Sequence, residues 1–248
     1  PDAGVAALTA DHLIEPVEEF AATIARGFAV AEEDVLVTFG VVPDHPATGF
    51  GYLELGAELT GGGRVVDRFA EKPALARAEE LVGQGALWNS GMFVWRASTF
   101  LRAAEAFASE AFGQVRRFVG GDAAAWEQIH KVSVDHGVME PASTSAAFTV
   151  AALPMAARWL DVGSWPQYGD ALTRTAEGNA VSAEASVVLG SSDCVVVSSD
   201  PAHLVALVGC EGLVVVHTPT ATLVMPADQA QRVKDLHALV SERFPDLA

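Results

Sequence analysis

Three textures of apolar and polar positions follow one another along the chain. Near the start, "GVAALTADHLI" (residues 4–14) is an apolar run ending around the polar pair Asp11-His12. It predicts a buried strand whose C-terminal end carries polar groups. In "PVEEFAATIARGFAVAEE" (16–33) Val17, Phe20, Ile24 and Phe28 recur at helical spacing. "VLVTFGVV" (35–42) predicts a second buried strand, closed by Pro43. Strand, helix and strand in that order predict a parallel α/β unit.

The middle third changes character. "TGFGYLELG", "RVVDRFAEKP" and "LWNSGMFVW" are strand candidates separated by Gly, Pro or a short helix over 74–82. Within the last of them, 92–95 reads as the buried strand and Asn89 stands just upstream of it. From 97 to about 129 the pattern is helical with a polar face, and "FTVAALP" (148–154) returns to strand.

Beyond about residue 178 the texture shifts again. "ASVVLG", "CVVVSS", "HLVALVG", "GLVVVHT" and "ATLVMP" are short valine-rich runs with turn residues at near-regular spacing. They predict a small all-β region, closer to a solenoid or small-sheet cap than to another βαβ unit, with no strict repeat. A helix over 227–244 closes the chain. The expected organisation is an α/β domain over 1–175 and a small β-rich domain with a closing helix over 176–248.

Composition narrows the function. Half of the 248 residues are apolar and 19% are charged, so a large core is affordable. The formal net charge of −17 argues against non-specific nucleic-acid binding, which relies on a basic surface. It leaves room for an anionic small substrate, because a local Lys or a metal can reverse the field in a cleft. Two cysteines without a CxxC spacing point to a reducing cytoplasm rather than a disulfide framework. No apolar run approaches the roughly 18 residues of a spanning helix, so no membrane partner is expected.

Several polar residues stand at or near the ends of apolar runs, where ligands collect in open α/β sheets. Asp11 is either a helix cap or loop carboxylate, or a Mg²⁺ ligand, since Mg²⁺ takes one or two carboxylates plus substrate phosphates. In "TGFGY" (48–52) the glycines serve a turn or bulge, or let the backbone approach a sugar or phosphate. Glu71-Lys72 before Pro73 is either a strand end stopped by proline, or a hydroxyl acceptor beside a phosphate-neutralising ammonium. Asn89 is either an Asx-turn residue or an amide that reads a vicinal diol. In "WLDVGSW" (159–165) either Asp161 or Ser164 caps a helix, or Asp161 is a second metal ligand. "VSVDHGVME" (132–140) holds Asp135, His136 and Glu140, but His136 has no Cys or His at zinc spacing. Neither a GxSxG motif nor a catalytic cysteine signature occurs, which disfavours a protein nucleophile.

Taken together, "ADHLI", "VTFGVVPDHPATGFGYLELG", "FAEKP", "LWNSGMFVWRASTFL", "VSVDHGVME", "WLDVGSW" and "LVVVHTPTATLVMPADQAQRVKDL" resemble, in that order, bacterial mannose-1-phosphate guanylyltransferases. The resemblance runs over almost the whole chain. It implies a Rossmann-like nucleotidyltransferase sheet, incomplete at its N-terminus, followed by the small all-β region and the terminal helix. It implies GMP transfer from GTP to mannose 1-phosphate with release of pyrophosphate, assisted by Mg²⁺. Carried over by motif, Asp11 and Asp161 match the metal-binding aspartates. Glu71 and Lys72 match the pair contacting sugar and phosphate, Gly51 the glycine whose backbone lies against the sugar, and Asn89 a sugar-contacting amide. Asp11, Lys72 and Asp161 are the expected catalytic set. A homodimer is a possible assembly. The alternatives are the same chemistry on another sugar 1-phosphate, and an inactive homologue with a regulatory or subunit role.

The sequence departs from the family pattern in three places. Phe50 replaces a usual Tyr, keeping the ring without its hydroxyl. His136-Gly137 replaces a usual Tyr-Ala, which bears on the packing of that turn. The family's Gly-rich "GGxGTRLWPLS" loop does not occur in these 248 residues, nor does the sequence open on Met. The natural protein is therefore expected to be longer, and the 248 residues alone are not expected to turn over.

Overall fold

The computed structural model describes residues 2–247. By contacts the chain divides into two units. One runs to Ala10 and then over Ile14–Trp159; the other gathers Asp11–Leu13 with the chain from Leu160 onward.

The first unit is built on strands β1 (Gly4–Ala7), β3 (Val35–Val41), β4 (Gly51–Glu58), β5 (Arg64–Glu71), β6 (Leu87–Arg96) and β7 (Thr149–Pro154). A short strand β2 (His12–Glu15) pairs separately with β8 (Arg158–Asp161). The large sheet has the order β1-β6-β3-β7-β5-β4, and β4 also pairs with β6. The circuit β6–β3–β7–β5–β4–β6 is thereby closed.

Alternate residues of each strand feed two cores. On one face Val35, Val37, Phe39, Trp88, Met92, Val94, Ala151 and Leu153 pack with helices α1 (Val17–Ala31) and α2 (Leu75–Gly83). On the other, Leu36, Leu53, Phe69, Leu87, Phe93, Val150 and Ala152 pack with α3 (Ala97–Phe107) and the segment Val138–Ala142. Helix α4 (Ser109–Val119) follows α3 after a break at Ala108. Helix α5 (Glu140–Ser143) continues a π-helical turn over Asp135–Met139. The unbroken apolar run of β3 now has a physical reason: all seven residues are buried because both sheet faces are covered.

Two expectations are corrected and one is refined. The run 4–14 is not one buried strand but two. β1 ends at Ala7, and it lies at the sheet edge, where Val5 is 39% exposed. The strand–helix–strand unit is parallel in direction, since β6 lies between β1 and β3 and runs antiparallel to both, but its two strands are not directly paired. Within this sheet the parallel pairing is β3 with β7. Asn89 does not precede the third strand but lies inside it, since β6 begins at Leu87.

Between α1 and β3, Asp34 adopts a left-handed backbone (φ 65°) that aims its carboxylate at α3. The Thr99 hydroxyl and then the Arg102 guanidinium hold its carboxyl below the usual carboxylate range. A depressed folded pKa contributes stability that is complete above the unfolded value, about 3.9, and is lost as pH falls below it. Asn tolerates the same φ, so Asp34→Asn should lower the urea midpoint near pH 7. The gap to the native chain should narrow below about pH 4. A gap independent of pH would remove the charge from the explanation. The side chain is 51% exposed, so solvent screening keeps the effect small.

The second unit contains helix α6 (Trp165–Ala171) and strands β9 (Ala180–Ser182), β10 (Ser186–Leu189), β11 (Val195–Ser198), β12 (Val205–Val208), β13 (Leu213–His217) and β14 (Thr222–Pro226). Helix α7 (Val233–Arg243) follows a 3-10 turn over Ala227–Arg232, so only the second part of the expected helix is α-helical. The valine runs form two stacks. β9, β11 and β13 are parallel, with β14 antiparallel on β13, and β10 is parallel to β12. Val195 pairs with Ala180 fifteen positions earlier and with Val214 nineteen later. Coils of unequal length explain why the sequence shows a solenoid texture without a strict repeat.

Candidate functional site

In the first unit, the residues proposed for the sugar side share a sheet face. Gly51, Glu71 and Asn89 each lie two positions along a strand from a residue of the same core: Leu53, Phe69 and Leu87. A period of two puts all three on that face. Register brings them together: Gly51 pairs with Glu71, and the adjacent Tyr52 pairs with both Ala70 and Trp88. Trp88 and Tyr52 therefore point to the opposite core, where Phe50 packs edge-on against Trp88 and Trp159. The ring retained at position 50 is used in packing.

Gly51 is a requirement of space. A Cβ there would come within 2.5 Å of Glu71 Oε2 and 3.0 Å of the Phe69 ring. Glu71 keeps its carboxylate over the glycine, its side chain 17% exposed, with Lys72 Nζ 3.4 Å from Oε1. Lys72 itself is 64% exposed and has φ 45°, which is unfavourable for a residue with a Cβ, while its N–H donates to the Phe50 carbonyl. Such a conformation costs on the order of 1–3 kcal/mol and persists where surroundings impose it.

Asn89 is 8% exposed. Its Oδ1 accepts from the Thr38 hydroxyl at 2.8 Å, and its Nδ2 donates to Asp135 Oδ1 at 2.8 Å. It is not a turn residue, which closes one of the two sequence alternatives. One N–H and one lone pair of the amide remain beyond these bonds. His136 lies 3.9 Å from Glu140 on the exposed side of the same turn. Gly137 is buried there, and a Cβ would approach the Val132 methyls to 3.2 Å, so the turn packs tightly without the usual alanine.

In the second unit, Asp11 and Asp161 meet at one imidazole. His12 Nε2 lies 3.6 Å from Asp161 Oδ1 and 4.0 Å from Asp11 Oδ1. Ser164 caps α6, its hydroxyl oxygen accepting from the Gln167 N–H, so Asp161 is not spent on that role. The side chains of Asp11 and Asp161 are 72% and 32% exposed, while that of His12 is 9% exposed. Two accessible carboxylates are the donor set a hard divalent ion uses when it keeps waters and substrate phosphates as further ligands. Among the described residues, no group of three His, Cys, Asp or Glu could by itself cage a metal.

Two participants lie outside the candidates the sequence offers. His12 stands out there only as the neighbour of Asp11, and the signal for Thr38 is that it is the polar side chain in the apolar run 35–42.

Comparison with known proteins adds three findings. The family model for nucleotidyl transferases matches residues 2–178, and the model for a MannoseP isomerase/GMP-like β-helix domain matches 184–238. The mannose-1-phosphate guanylyltransferase of Escherichia coli K12 is 36% identical over 92% of this chain and 49% of its own length. The alginate biosynthesis protein AlgA of Pseudomonas aeruginosa is likewise 36% identical, over 92% of this chain and 48% of its own. The chain thus spans about half the length of these curated relatives. Among solved structures, one from Thermus thermophilus, described as a mannose-1-phosphate geranyltransferase, superposes with a TM-score of 0.85. It is 28% identical, over 96% of this chain and 70% of that one. Among the described residues, no helix is long and apolar enough to cross a membrane.

Proposed function

The chain belongs to the nucleotidyl transferase family, and from that premise we propose that it serves GMP transfer from GTP to mannose 1-phosphate, giving GDP-mannose and pyrophosphate. The observation carrying this reading is the cradle at Gly51, where a glycine floor, an accepting carboxylate and an exposed ammonium lie side by side. The name of the Escherichia coli relative supports the choice of sugar and nucleotide.

The sugar phosphate is already an anionic nucleophile. Its oxygen forms a bond to the α-phosphorus of GTP, the bond from that phosphorus to the bridging oxygen breaks, and pyrophosphate leaves. No protein nucleophile is required, and catalysis is alignment plus charge neutralisation. Glu71 accepts from sugar hydroxyls, and Lys72 places its positive charge at a phosphate. Asn89 offers its remaining amide groups to the sugar. Asp11 and Asp161 would hold Mg²⁺, which supplies charge neutralisation on the phosphates.

The test is pyrophosphate release by protein expressed from the natural reading frame, across GTP, ATP, UTP and dTTP with several sugar 1-phosphates. GTP with mannose 1-phosphate should give the highest kcat/KM; another pair ahead of it would replace the assignment. Asp161→Asn should lower kcat about a hundredfold. Undiminished activity would remove Asp161 from the reaction.

A further inference from the structure

We infer that Asp135 is a positioning residue that fixes which way the Asn89 amide faces, and thereby sets hydroxyl selectivity at the sugar site. The inference rests on the transferase reading for its ligand and on geometry for its mechanism. Asn89 lies between two partners, Thr38 and Asp135, each at 2.8 Å. An amide can face such a pair in either sense, exchanging its oxygen and its NH₂.

Thr38 does not decide between the two senses. Its hydroxyl has one proton, and Asn89 Oδ1 and the Met92 carbonyl, at 3.1 Å, are both within reach. If the amide reversed, Thr38 could give its proton to Met92 and accept from Asn89 instead. Asp135 does decide. An ionised carboxylate only accepts, so a reversed amide would set oxygen against oxygen at a half-buried contact. The Asn89 NH₂ must therefore face Asp135, and its second N–H keeps one direction.

That direction matters because of Glu71. Glu71 and Asn89 lie on the strands flanking β4, on one face, beside Gly51. Glu71 is also an acceptor only, so hydroxyls bound to it donate. A neighbouring hydroxyl of the diol then finds in Asn89 a donor whose place is fixed. With the amide free to reverse, donor and acceptor would exchange places and the pattern would cease to be unique.

The experiment is calorimetric binding of mannose 1-phosphate and its four monodeoxy analogues to protein expressed from the natural reading frame, compared with Asp135→Asn and Asn89→Ala. The native chain should bind mannose 1-phosphate about tenfold more tightly than the analogue lacking the hydroxyl read by Asn89. Asp135→Asn, nearly isosteric and neutral, should reduce that ratio to within about twofold. The double variant should lose no further selectivity, as coupled residues do. A merely structural role would lower Tm in Asp135→Asn and leave the ratio intact, which would overturn the proposal. A native chain that binds none of these ligands would sink the transferase reading itself, and this proposal with it. A further measurement needs no variant: nuclear Overhauser contacts from the Asn89 NH₂ protons should reach the Asp135 β-protons. Contacts to Thr38 alone would overturn the assignment.

Discussion

Gly51→Ala should weaken sugar 1-phosphate binding roughly 30–100-fold, as expected for losing one or two charge-assisted hydrogen bonds, while leaving the fold standing. The backbone accepts the change, because Gly51 is not among the residues with positive φ. The obstruction is local: the new methyl would lie 2.5 Å from Glu71 Oε2 and 3.0 Å from the Phe69 ring. Strand β4 cannot yield, since it pairs with β5 on one side and β6 on the other. Phe69 cannot yield far either, being 2% exposed within a packed core. The carboxylate end of Glu71 is free to rotate and will do so, carrying the acceptor away from the sugar. Crowding of Phe69 should cost about 1–3 kcal/mol of stability, a moderate fall in Tm. Calorimetry with mannose 1-phosphate and a parallel thermal melt would read both effects. Glu71→Ala in the same background should add little, because the contact it removes is already lost. Native affinity in Gly51→Ala would show that Glu71 is not a sugar ligand.

The legible parts of this molecule were those with a strong local period. β3, α1 and the five valine-rich strands are legible because burial on both faces, helical spacing or regular turns leave a mark within a few residues. The start of β6 left no such mark. Asn89, Ser90 and Gly91 look like a turn, yet they continue a buried strand because Thr38 and Asp135, 51 and 46 positions away, satisfy the amide. A buried polar residue with remote partners has no local signature. The candidate metal carboxylates were named through resemblance, whereas their common neighbour His12 became visible only when strand β2 was placed beside β8. The separation of β1 from β3 by β6 is likewise a property of the sheet, since nothing in 4–42 specifies an antiparallel insertion.

Asn179→Ala should cost the second unit about 2–4 kcal/mol, since it leaves two buried backbone groups without their partner. Asn179 is 2% exposed. Its Nδ2 donates to the Ser191 carbonyl at 2.8 Å, and its Oδ1 accepts from the Cys194 N–H at 3.0 Å. Asn179 precedes β9, while Ser191 and Cys194 lie between β10 and β11. One amide thus ties successive coils where the chain turns, beside the backbone bonds from the Ala180 N–H to the Cys194 carbonyl and from the Asp193 N–H to the Glu177 carbonyl. An aspartate separates this account from simple packing. Asn179→Asp keeps the shape and the acceptor for Cys194, but it turns a carboxylate oxygen toward the Ser191 carbonyl. At neutral pH it should be no more stable than Asn179→Ala, because it also buries a charge. Burial raises the folded pKa of such a carboxyl, so the stability of its protonated form is present at low pH and lost as pH rises. Acidification should therefore restore part of the loss in Asn179→Asp, where the protonated oxygen can donate to Ser191, and none in Asn179→Ala. Hydrogen exchange of the β11 and β13 amides, followed from neutral pH into the carboxylate range, would measure this. Equal exchange in the native chain and both variants would show that the coils are held by their ladders and valine core without Asn179.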